Sequence, residues 1–98
     1  MKRRERTLIR VRRSLCFDKM LRMQHAARGH AISPHRLAKR MGWANWNAAN
    51  LHYGRLVHAV AKELGERHKW WFARIADYEH CAWVMRPDIV RAMDELEG

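Results

Sequence analysis

The chain has 98 residues, 48% of them hydrophobic, with 20 Lys and Arg against 10 Asp and Glu for a formal charge of +10. That length holds one domain, and the apolar fraction is too high for a wholly disordered chain. The charge points to a polyanionic partner and away from an acidic imitation of DNA.

Residues 1–13 carry Arg3, Arg4, Arg6, Arg10, Arg12 and Arg13. They read as a basic arm that need not be ordered, outside a folded domain spanning residues 14–98. Arginine forks onto phosphate better than lysine does, so such an arm suits a nucleic-acid backbone. Leu8, Ile9 and Val11 leave two options, an extension of the next helix or a short strand. Residues 14–28 are expected to form a helix with Phe17, Met20, Leu21 and Ala27 inward, capped by Ser14 and stopped by Gly29. Ser33-Pro34 is an N-cap followed by proline at the first helical position, and Gly42 closes that short helix. Its apolar stripe is Leu37, Ala38 and Met41, while His35, Arg36, Lys39 and Arg40 face outward.

Asn45 is the next cap. From Trp46 to Leu64, Ala49, Tyr53, Leu56, Val57, Val60 and Leu64 recur at spacings of three and four, the pattern of an amphipathic helix ended by Gly65. Beyond it, Trp70–Ala76 and Ala82–Met85 read as two strands, with residues 77–81 as a polar hairpin loop. Arg86-Pro87-Asp88 starts a last helix whose inner face is Ile89, Val90, Met93 and Leu96. The expected fold is mainly α with a β-hairpin, winged helix-turn-helix-like, in the order α-α-α-β-β-α. A plain α+β domain uses the same parts.

At 100° per residue the helix over 46–64 turns Asn47, Ala48, Leu51, His52, Arg55, His58 and Lys62 away from its core face, with no acid among them. Asn47 suits a bidentate contact with adenine, and Arg55 suits guanine or phosphate. Leu51 and Ala48 suit a thymine methyl. Asn50 lies near the core edge and reads as a structural residue of the turn. Gly54, inside the helix, implies a close approach, best supplied by another helix. Trp70, Trp71 and Trp83 are expected in cross-strand packing, and at least one of Trp43 and Trp46 is expected to be buried.

Catalytic and metal-binding patterns are missing. Seven histidines occur, but no H-x-x-x-H, H-E-x-x-H or C-x-x-C spacing. Cys16 and Cys81 build neither a disulfide framework nor a Cys-based zinc site. The chain is therefore expected to be neither an enzyme nor a cofactor carrier. No apolar run nears the roughly 18 residues of a membrane span, so a cytoplasmic protein of a bacterial cell or phage-infected host is expected.

The stretch Ile32-Ser33-Pro34-His35-Arg36-Leu37-Ala38-Lys39-Arg40-Met41-Gly42-Trp43, with Asn47-Ala48-Ala49-Asn50-Leu51-His52-Tyr53-Gly54-Arg55-Leu56, resembles the small helix-turn-helix-like module found ahead of HNH-type nuclease domains in bacterial and phage restriction-associated proteins. Trp83-Val84-Met85-Arg86-Pro87 and residues 92–96 resemble that module's tail. The resemblance implies nucleic-acid recognition. The nuclease part of such proteins has no counterpart in these residues, so no nuclease activity is expected of them.

Three functions follow as expectations, the last a general RNA or single-strand binder relying on the arm and the aromatics. The first is a non-enzymatic binder of nucleic acid, with duplex DNA favoured and RNA open, such as a phage or defence-operon regulator. It would bind through residues 46–64, the basic residues of 35–40 and the arm. The second is a small phage-type inhibitor, anti-CRISPR or anti-restriction, docked on a host defence complex that handles nucleic acid. None needs a membrane, and all three leave a homodimer open.

Overall fold

Local chemistry sets most helix boundaries. The computed structural model describes residues 3–63, the backbone of 76–79, and residues 81–97. Helix α1 is Arg3–Val11 and α2 is Leu15–Ala26. Ser14 caps α2, its Oγ accepting the Phe17 N–H at 3.4 Å. A 3-10 turn over Arg28–His30 follows, with Gly29 at φ +65° and His30 at φ +54° reversing the chain into strand β1, Ala31–Ile32. An added Cβ at Gly29 would meet nothing within 4 Å, so backbone conformation alone favours glycine there.

Helix α3, Pro34–Met41, starts as its sequence dictates, with Ser33 Oγ accepting the Arg36 N–H at 3.1 Å. Gly42 adopts the left-handed conformation (φ +77°) and ends it. After a four-residue turn, Asn45 Oδ1 accepts the Ala48 N–H at 3.3 Å and α4 runs Trp46–Glu63. Strands β2, Ala76–Glu79, and β3, Ala82–Met85, precede α5, Pro87–Glu97.

The fold is mainly helical with a small antiparallel sheet, ordered β1-β3-β2. Ala31 and Ile32 pair with Val84 and Trp83, while Ala76–Glu79 pair with Met85–Ala82. Three expectations change. The Arg-rich start is not an arm outside the domain. It is α1, which packs on α4 and α5 and buries Leu8 completely and Val11 nearly so. A further strand, β1, stands between α2 and α3, so the order becomes α-α-β-α-α-β-β-α. Asp77–Glu79 are strand, not hairpin loop, because their backbone pairs with β3 whatever their side chains. Glu79 pairs with Ala82, and Cys81 just before β3 adopts φ +63°. Leu64, Gly65 and the expected strand from Trp70 to Ile75 lie outside the described residues.

The core lies where α1, α4 and α5 meet β1, α2 and α3. Tyr53, Leu56, Val57 and Val60 of α4 face Met20, Leu21, Ile32, Leu37, Met85, Ile89 and Met93, all at most 3% exposed. A polar post stands in this core. The Tyr53 hydroxyl donates to Gln24 Oε1 at 2.6 Å, and Gln24 Nε2 donates to the carbonyls of Trp83 (3.1 Å) and His30 (3.3 Å). The Tyr53 ring stacks flat on Trp83, centroids 3.9 Å apart. Trp83 is thus held in packing across the sheet and α4.

Candidate nucleic-acid interface

The α3–turn–α4 unit gathers most of the residues singled out from the sequence. Its turn is set by backbone bonds, the Trp43 N–H donating to the Ala38 carbonyl at 2.9 Å. Arg36, Lys39 and Arg40 are exposed on α3, and Asn47, Leu51, Arg55, His58 and Lys62 are exposed on α4. His52 is half-buried, its ring stacked on Trp43 with centroids 4.2 Å apart. Trp43 is partly buried while Trp46 is 45% exposed, tilted against His35 at 6.1 Å. Leu51 is 54% exposed. Asn50, expected as a structural turn residue, is also exposed. With Leu51, Gly54, Arg55, His58 and Ala59 it lines an open depression of about 580 Å³ along α4.

The arginines of α1 sit elsewhere and are partly spent. Arg3, Arg6 and Arg10 come together beside Glu63, at the far end of α4 from the turn. Arg10 pairs with Glu63 at 3.3 Å and Arg4 with Asp88 at 2.8 Å. Arg12 is drawn inward, its side chain 11% exposed between Asp18 and Glu97, both at 2.5 Å. Arg22 pairs with the same two acids at 3.0 and 2.9 Å, so two guanidiniums and two carboxylates alternate between α2, α5 and the turn after α1. Burial alone would lower the Arg12 guanidinium, but Asp18 and Glu97 more than offset it and raise it above its ordinary value. Burial would likewise raise the Asp18 carboxyl, yet the bonds from Arg12 and Arg22 prevail and hold it below the usual range. Arg12 is therefore held inside the fold by two carboxylates. Arg13 is exposed at the turn after α1.

Among the described residues, acids and bases are thus segregated. No Asp or Glu occurs from residue 29 to residue 62, the stretch that builds β1, α3 and nearly all of α4. The acids Asp18, Glu63, Asp88, Asp94 and Glu97 all hold partners on α1, α2 or α5, including His25 against Asp94 at 2.7 Å, or, for Asp88, Arg86 just before α5. Sequence reading overlooked Arg28, which flanks the same positive side from the 3-10 turn. No spacing rule marks it, because Gly29 and β1 separate it from α3.

Among the described residues no group of three or more His, Cys, Asp or Glu is placed to hold a metal ion. None of the described helices is long and apolar enough to cross a membrane. Comparison with protein-family models, curated proteins and solved structures finds no match to this chain.

Proposed function

We propose that the chain is a non-enzymatic nucleic-acid-binding module that presents α4 to duplex DNA with α3 against the phosphates. The observation that carries this reading is the absence of any acid from α3 and from α4 up to Lys62, while the described acids Asp18, Glu63, Asp88 and Glu97 are held by Arg4, Arg10, Arg12 and Arg22. The order α2-β1-α3-α4-β2-β3, with β1 paired to β3, supports a winged helix-turn-helix arrangement. In that arrangement α4 is the groove-entering helix and the β2–β3 hairpin is the wing. The resemblance of residues 32–56 to the module ahead of HNH-type nucleases agrees with it.

A second reading has one observation of its own. Trp46 and Leu51, exposed in the first half of α4, are apolar enough to dock on a protein. The α5 acids speak less for it, since Asp88, Asp94 and Glu97 hold partners within the chain.

Asn47→Ala and Arg55→Ala separate the two readings, because both side chains are exposed and their loss should leave stability nearly unchanged. If α4 reads bases, each change relaxes preference at one or two base pairs by about 1–3 kcal/mol in a binding-site selection. Uniform weakening across all sequences would mean phosphate contact only. Duplex binding untouched by both changes would overturn the DNA reading and leave α4 as a docking helix.

A further inference from the structure

We propose that the cleft between the end of α2 and α3 binds a small organic anion, one that carries a phosphate or carboxylate on an apolar ring. The cleft encloses about 340 Å³, within the roughly 300–1,000 Å³ of small-molecule sites and too large for a lone ion. Its α2 wall is Met23 and Ala26, one turn apart on the helix, continued by the C-cap residue Ala27. The two alanines leave open a volume that longer side chains would fill. Ile32, 2% exposed, closes the floor.

The rim is cationic. Arg36 and Arg40 stand one turn apart on α3, and the reversal at Gly29 brings Arg28 to the same opening. Among the described residues, no carboxylate lines the cleft. Arg4, Arg10, Arg12 and Arg22 each hold an acid, whereas Arg28, Arg36 and Arg40 have no ion pair among the described residues. Like charges at this helical spacing repel, and an anion between them reverses the sign of that interaction. Planar guanidinium forks match carboxylate and phosphate oxygens two at a time. The rim therefore selects the anionic head and the floor selects the apolar body. A duplex backbone would share Arg36 and Arg40 of the rim but not the apolar floor, so only the floor separates this site from the nucleic-acid reading.

The test contains no nucleic acid. The full chain is titrated with 1-naphthyl phosphate and 1-naphthoate, followed by amide shifts in two-dimensional NMR spectra, with inorganic phosphate and 1-naphthol as half-ligands. We expect saturable binding of at least one naphthyl anion, with shifts centred on residues 26–28, 32 and 36, and each half-ligand at least about tenfold weaker. Which naphthyl anion prevails tells phosphate from carboxylate. Arg36→Gln combined with Arg40→Gln should weaken binding by about tenfold or more, and Ala26→Phe, which fills the gap from an exposed position, should abolish it. The proposal is overturned if neither naphthyl anion saturates, or if inorganic phosphate binds as tightly. It is equally overturned if the shifts lie elsewhere or Ala26→Phe binds unchanged. The half-ligand comparison on the unaltered chain decides the matter even where a variant fails to fold.

Discussion

Tyr53 is where α2, α4 and β3 are tied together. Its ring lies flat on Trp83 and its hydroxyl donates to Gln24, whose amide in turn satisfies two backbone carbonyls. Both side chains are at most 2% exposed, so neither finds water as a substitute partner. Tyr53→Phe keeps the stack but strands Gln24 Oε1, at about 1–3 kcal/mol in chemical denaturation. A pH dependence follows from the same burial, which pushes the Tyr53 hydroxyl well above its ordinary value, an effect the bond to Gln24 offsets only in part. An acid whose folded-state pKa is raised contributes its full stability below the unfolded pKa, about 10 for tyrosine, and loses that contribution as pH climbs above it. The gap between the unaltered chain and Tyr53→Phe should therefore be widest at neutral pH and shrink above about pH 10. An unchanged gap at pH 11 would mean that the hydroxyl meets solvent in the folded state.

At the scale of elements, α1 decides whether the basic start is an appendage. Leu8 and Val11 lie one turn apart and both enter the core, while Arg12 closes the ion-pair square with Asp18, Arg22 and Glu97. Leu8→Ala should cost about 2–5 kcal/mol, as for a fully buried leucine, and removal of residues 1–13 should abolish cooperative thermal unfolding. A truncated chain that melts at the original midpoint would return α1 to the status of an arm. This helix escaped the sequence because its apolar stripe is two residues wide and six arginines surround it. Asp88, which neutralises Arg4, and Glu97, which with the nearby Asp18 neutralises Arg12, lie far along the chain. Strand β1 escaped for a related reason, since two residues show no alternation and only β3 makes them a strand. The polar run Asp77–Glu79 likewise becomes strand through its neighbour's backbone. By contrast, α3 and the start of α4 were legible, because Ser33, Pro34, Gly42 and Asn45 act on the peptide groups next to them. The outer arc of α4 was legible as well, helical geometry being enough to separate Asn47, Leu51 and Arg55 from Ala49, Tyr53 and Leu56.

Over the whole molecule the positive charge is not spread evenly, and that distribution bears on binding more than the total of +10 does. Cations on α1 and α2 hold acids of α2, α4 and α5, so part of the arginine content stabilises the fold and is not offered to a partner. On α3 and α4 the exposed cations are Arg36, Lys39, Arg40, Arg55 and Lys62. If all five meet phosphates, log K for duplex DNA should fall with log salt at a slope of about −4.5, since each neutralised phosphate contributes about −0.9. Lys39→Gln combined with Arg55→Gln should flatten that slope to about −2.7 without shifting the melting temperature, both side chains being exposed. Arg12→Gln should do the reverse, lowering the melting temperature while leaving the slope alone, because its guanidinium already faces Asp18 and Glu97. Titrations at several salt concentrations on these three proteins measure both quantities. A slope that responds to Arg12 and ignores Lys39 and Arg55 would place the nucleic-acid contact on the α1 side, away from the α3–α4 surface.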